Sequence, residues 1–156
     1  MRKMRLITFL MALPFFAGFI ALSGQTGAAV AAEPAELKLT ISGIAPISGQ
    51  IAVAVFSDKA SYKAGDDPIA STTIQVDGES VSDVILGLEA GDCAIKIYHD
   101  VNGNGKLDTN MIGIPTEPFG FSNGAKARFG PPGFDEARFD LDAGVNTQEI
   151  VMESAE

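Results

Sequence analysis

Apolar and polar residues alternate along most of the chain from Leu37 onward, a spacing that puts every second side chain on one face of a strand. Leu37, Leu39 and Ile41 share a face, as do Ile51, Val53 and Val55. Thr72–Val76 is rich in β-branched residues and ends at Asp77-Gly78, a turn pair. Val84, Leu86 and Leu88 fall on one face before a turn at Glu89-Ala90-Gly91-Asp92, and Cys93, Ile95 and Ile97 continue the pattern to Tyr98. Two more segments, Ala137–Leu141 and Thr147–Met152, flank a turn at Ala143-Gly144. Seven short strands, glycine-marked turns and no sustained helical period predict an all-β fold, a seven-stranded antiparallel β-sandwich. Its expected core is Leu39, Ile41, Val53, Val55, Val84, Leu86, Leu88, Ile95, Ile97, Phe139 and Leu141.

The N-terminus breaks this pattern. Arg2, Lys3 and Arg5 precede an uncharged apolar run from Leu6 to Leu22, and Val30-Ala31-Ala32 fits a small-x-small cleavage site. Residues 1–32 therefore read as a secretory signal, 33–36 as a flexible leader and 37–153 as a single β-sandwich domain. The apolar run is shorter than the ~20 residues of a spanning helix, so no membrane span is expected after cleavage. Composition narrows the partners further. With 11 basic and 20 acidic residues the net charge is −9, and cleavage makes it more negative by removing three basic residues and no acidic one. Such a chain has no electrostatic footprint for nucleic acid. Cys93 is the one cysteine, so there is no internal disulfide and no cysteine-based zinc site. Its alternation with Ile95 and Ile97 predicts a buried, inert thiol.

The run Asp100-Val101-Asn102-Gly103-Asn104-Gly105-Lys106-Leu107-Asp108 carries the most specific chemistry. Oxygen-bearing side chains at Asp100, Asn102, Asn104 and Asp108, with Gly105 at the bend, reproduce the first nine positions of an EF-hand calcium loop. The carbonyl of Lys106 supplies a further oxygen. Met111 stands where a bidentate Glu belongs, so Glu117 must fold back in its place or water must complete the shell. Two carboxylates and two amides predict weak Ca²⁺ binding, on the order of 10⁻⁴–10⁻³ M. The bland reading of the same residues is a pair of tight turns, since Asn-Gly favours positive φ.

From Asp100 to Asp135 the chain shows no regular period, a connection far longer than the ~4–6 residues usual in compact domains. Phe119, Phe121, Phe129 and Phe134 lie in it among many glycines and prolines. Most are expected to fold back over one end of the sandwich, leaving one or two exposed for a protein or glycan partner of the envelope. The expected binding surface is Phe119, Phe121, Lys126, Arg128 and Phe129. Three motifs stand out together: His99-Asp100-x-Asn102-Gly103-Asn104-Gly105-x-x-Asp108, then Gly113-x-Pro115-x-Glu117-x-x-Gly120-Phe121-Ser122-Asn123, then Phe129-Gly130-Pro131-Pro132-x-Phe134. In these the chain resembles a family of exported bacterial proteins known as domain of unknown function 2141. Leu88-x-x-Gly91 entering a strand is similar to prealbumin-like sandwiches. These resemblances imply an Ig-like or prealbumin-like sandwich in the periplasm or outside the cell, and they bring no catalytic residues with them.

His99 is the one histidine, which excludes two-histidine metal sites. Asp100 is its neighbour, but adjacent strand residues point to opposite faces, so the pair makes a poor Ser-His-Asp arrangement. The expectation is a non-catalytic envelope module, calcium-stabilised, with no catalytic residue. A small periplasmic hydrolase built around His99 is the alternative.

Overall fold

The computed structural model describes residues 33–154. The expected signal segment lies outside the described residues. Among the described residues no helix is long and apolar enough to cross a membrane.

Eight strands form two sheets. In the first, β1 (Ala35–Ser42) is central, with β4 (Ser80–Leu88) antiparallel on one side and β8 (Gly144–Val151) parallel on the other. In the second, β3 (Ala70–Gln75), β2 (Gln50–Phe56), β5 (Gly91–Asp100) and β6 (Phe119–Phe121) follow in that order, and β7 (Phe139–Leu141) pairs with the start of β5. The sandwich reading holds at this level, with two corrections. The strand count is eight, because the long connection contributes β6, and the β1–β8 pair is parallel. β1 also begins at Ala35, which is buried, so Ala35 and Glu36 belong to the domain and not to a loose leader.

Alternation sets the core as expected for β1, β2 and β5: Leu37, Leu39, Ile41, Ile51, Val53, Val55, Ile95 and Ile97 are sealed between the sheets. Leu88 and Leu141 are buried with them, and Phe139 packs half-buried against them. β4 is the exception. Val84 and Leu86 are 46% and 69% exposed, while Val81 and Ile85 face inward. The cause is Gly87, whose φ of +76° is open to glycine at little cost. The register shifts there, Ala35 opposing Leu88 and Glu36 opposing Leu86. A bulge of one residue reverses which face every earlier side chain of β4 occupies. Leu88 is thus in while Leu86 is out.

The five-stranded sheet carries a second apolar layer on its outer face. Phe56 and Ala94 there meet Phe121, Tyr62, Phe134 and Ala137. Two short helices supply this cover. In α1 (Lys59–Ala64) the Asp58 side chain caps the N-terminus, accepting from the Ala60 and Ser61 amides at 2.8 and 3.0 Å. The second, α2, spans Phe134–Ala137. Tyr62 sits edge-on to both Phe56 and Phe134, with centroids 5.6 and 5.7 Å apart, geometry worth about 0.5–1.5 kcal/mol per pair beyond area burial. Burial of its hydroxyl, with Glu136 nearby, pushes the Tyr62 pKa up to about 12.

Candidate functional site

The connection after β5 is ordered by two carboxylates turned toward backbone. Asp100 is sealed at the strand end and accepts from Asn104 N, Gly105 N and Gln50 Nε2 at 3.0, 2.8 and 3.0 Å. Burial pushes its pKa up, but the bonds from Gln50, Gly105, Asn104 and Gly103 outweigh that, so it lies below the ordinary aspartate value. Glu117, also buried, divides its two oxygens between Val101 N at 2.9 Å and Asp108 N at 3.0 Å. Through these two backbone bonds it staples the ends of the loop together. Tyr98 closes the turn from below, donating its hydroxyl to the Gly105 carbonyl at 3.0 Å.

Between these anchors Asn102 and Asn104 make Asx turns, their side-chain oxygens accepting from Asn104 N at 3.0 Å and Lys106 N at 2.8 Å. Their amide nitrogens converge on Asp108, at 2.6 and 3.0 Å. The six expected calcium ligands are thus linked in one hydrogen-bonded turn, Lys106 through its N–H rather than its carbonyl, and the two amide nitrogens rather than their oxygens face Asp108. Calcium coordination by this set requires both amides to rotate so that their oxygens face Asp108. Among the described residues no cluster of three or more His, Cys, Asp or Glu side chains is arranged to hold a metal. Met111, at the twelfth loop position, points fully into solvent.

Beyond the turn lies a cleft of about 890 Å³ on the outer face of the five-stranded sheet. Lys96 and Tyr98 of β5 and Phe119 of β6 form its floor. Leu107, Ile112 and Ile114 make one wall, and Ala127, Arg128, Phe129 and Pro131 the other. Asn110 fixes the first wall: its side-chain oxygen accepts from Ile112 N and Ile114 N, both at 3.0 Å, and its own N–H donates to the Ile114 carbonyl at 2.8 Å.

Of the expected binding surface, Phe121 is buried in the second apolar layer, and Phe119 lies half-buried beside it with centroids 5.8 Å apart. Phe129 is fully exposed at the rim. Arg128 lines the cleft, and Lys126, outside the lining, pairs at 3.4 Å with Glu153, which is part of it. Phe134 seals the α1–α2 cover. The floor and first wall went unmarked in the sequence. Lys96 and Tyr98 are the polar alternates of β5, the one visible trace of an outward surface there, and Asn110 followed two residues later by Ile112 is the trace of the capped turn.

Lys96 is half-buried, with its ammonium 4.2 Å from the centroid of the Tyr62 ring and donating to the Tyr62 carbonyl. Burial lowers its pKa. His99 belongs elsewhere. It is fully buried, with Nε2 at 2.6 Å from the Ser48 carbonyl and Nδ1 without a hydrogen-bond partner. The Asp100 carboxylate faces the loop, so it does not orient the imidazole. Cys93 is buried, and that burial, with Asp92 adjacent, raises its thiol pKa.

No curated protein and no solved structure matches the chain significantly. A family model does, across residues 39–149, more than half of the chain, which takes in the strand framework, the capped turn and both walls of the cleft. The chain belongs to the bacterial family described as "Uncharacterized protein conserved in bacteria (DUF2141)".

Proposed function

We propose that this chain is an exported module of the bacterial cell envelope that binds a partner and carries out no reaction, on a sandwich of the Ig-like or prealbumin-like kind. The observation behind this reading is the cleft: two largely apolar walls over the five-stranded sheet, the first of them held by the Asp100, Glu117 and Asn110 hydrogen bonds. Its volume of about 890 Å³ falls within the ~300–1,000 Å³ of small-ligand sites. Phe129, Ile112 and Ile114 are exposed along it, and clustered apolar exposure marks contact surfaces in soluble proteins. These walls suit an apolar group of the partner better than a glycan. The hydrolase alternative is disfavoured because His99 spends Nε2 on a backbone carbonyl and has no carboxylate to orient it.

Calcium enters this proposal as a weak stabiliser of the turn, bound at the cost of rotating the Asn102 and Asn104 amides. At 10 to 100 times Kd it would stabilise the fold by roughly 1.4–2.7 kcal/mol. Tm should then rise in 10 mM calcium (about tenfold or more above the expected Kd) and fall back with chelator. Equal melting in both removes calcium from the proposal.

The binding reading is tested by a photoreactive phenylalanine analogue placed at position 129 and, as a control, at the exposed position 86, in the bacterial envelope. Discrete adducts from position 129 and none from 86 are expected. Equal labelling from both, or none, overturns it. Turnover of chromogenic esters or glycosides that disappears in His99→Ala would replace it with the hydrolase.

A further inference from the structure

Two positive charges in this acidic protein line the cleft unpaired, and the one carboxylate in its described lining, Glu153, is already paired with Lys126. The protein carries a net −9, yet Lys96 at the cleft floor and Arg128 at its rim have no carboxylate partner among the described residues. Lys126, two residues from Arg128, shows the contrast, being paired with Glu153. The Lys96 ammonium is braced by the Tyr62 and Phe56 rings, at 4.2 and 5.6 Å to their centroids, and by the Tyr62 carbonyl. That carbonyl takes one of its three N–H donors, and no carboxylate among the described residues takes another. Along the walls Leu107, Ile112, Ile114, Phe119 and Pro131 offer hydrocarbon, the Tyr98 hydroxyl is spent on Gly105, Glu153 is paired with Lys126, and Thr109 and Ser154 add two hydroxyls.

We infer that the cleft holds a long-chain carboxylate, a free amphiphile with one anionic head at Lys96 and an unbranched apolar tail along the two walls. This rests on the binding reading above and names the occupant of that same site. Charge complementarity selects the head: a half-buried ammonium without an acid is costly, and a carboxylate supplies the charge-assisted hydrogen bonds that offset its desolvation. The apolar walls select the tail. An extended peptide fits less well, because Phe119 has both its N–H and its C=O bonded to Glu153, at 3.2 and 2.7 Å, and so presents no strand edge to augment.

The test is calorimetric titration of the purified protein with dodecanoate, decanoate, dodecanol and dodecylamine, each below its micellar concentration. One dodecanoate per chain is expected, with affinity falling about fourfold for each methylene removed. Dodecanol should bind at least about tenfold more weakly, and dodecylamine more weakly still. Lys96→Met should remove that preference, reducing dodecanoate binding about tenfold or more while leaving dodecanol unchanged. Ile114→Glu, at a 43% exposed wall position that belongs to neither packed layer, should abolish dodecanoate binding at an unaltered Tm, which separates loss of the site from loss of the fold. Equal affinity for dodecanoate and dodecanol overturns the inference. So does a Lys96→Met protein that keeps the preference, or the absence of binding by any of the four. Adducts from position 129 in the last case would leave the binding reading standing while the carboxylate fails.

Discussion

Replacing Gly120 by alanine tests how the long connection returns to the sandwich. Gly120 lies in β6 opposite Ile97 of β5, and its missing side chain faces the core. A Cβ built there would stand 2.8 Å from Ile150 Cγ2 and 3.2 Å from both Ile97 Cδ1 and Cγ1. Ile150 and Ile97 are buried and β-branched, with stiff χ1 angles, so neither can swing aside freely. The backbone of β6 must therefore lift or the two isoleucines must leave their rotamers, an overpacking cost of about 1–3 kcal/mol. Urea unfolding should show a lower midpoint at unchanged m. The diagnostic step is the double variant. Ile150→Ala alone should cost about 2–5 kcal/mol for the cavity it leaves. Adding Gly120→Ala to it should cost little or regain stability, because the new methyl fills part of that cavity. The coupling should be favourable by about 0.5–3 kcal/mol. A single-variant cost under about half a kcal/mol, together with no coupling, would refute the placement of β6 over Ile97 and Ile150.

Three further outcomes follow from named contacts. Leu86→Ser should change stability by no more than about 0.5 kcal/mol and Ile85→Ala should cost about 2–5 kcal/mol; the reverse order in urea unfolding would mean there is no bulge at Gly87. Glu117→Ala leaves the Val101 and Asp108 N–H groups unpaired and should cost about 2 kcal/mol, the low end for two partly buried donors, visible as fast amide exchange across 101–108. Asp100 has a folded pKa below its unfolded value, so its contribution is complete above the ordinary aspartate range near 3.9 and is lost as pH falls through the folded pKa. Stability should thus decline below about pH 4, Asp100→Asn should remove that part of the decline, and a pH profile identical in the two proteins would count against the buried carboxylate.

Strands whose core face obeys a simple period were legible in the sequence, and β1, β2 and β5 lie where their alternation puts them. β4 was misread because one residue, Gly87, shifts the phase, and a glycine inside an apolar run carries no mark that separates a bulge from an ordinary strand position. The outer layer was hidden for a different reason. Phe56, Ala94 and Tyr62 pack on the second face of a sheet, and a strand buried on both faces loses the alternation that would reveal it. In the loop, Asp100, Asn102, Asn104 and Asp108 are joined by hydrogen bonds within one turn, and their spacing alone suggested a shared site. It could not show that the amide nitrogens, rather than the oxygens, face Asp108, because calcium loops and self-bonded Asx turns use the same residues at the same intervals. The cleft needed distant segments, 96–98, 107–115 and 127–131, to converge, which no local period records.

Hydrogen exchange read by mass spectrometry, on the protein with and without an extract of its bacterial envelope, tests most directly whether the cleft is the binding surface. Protection is predicted in residues 107–131, centred on the walls carrying Ile112, Ile114 and Phe129. Protection confined to the outer face of the three-stranded sheet, where Leu86 and Val145 are also exposed, or no protection at all, would contradict it.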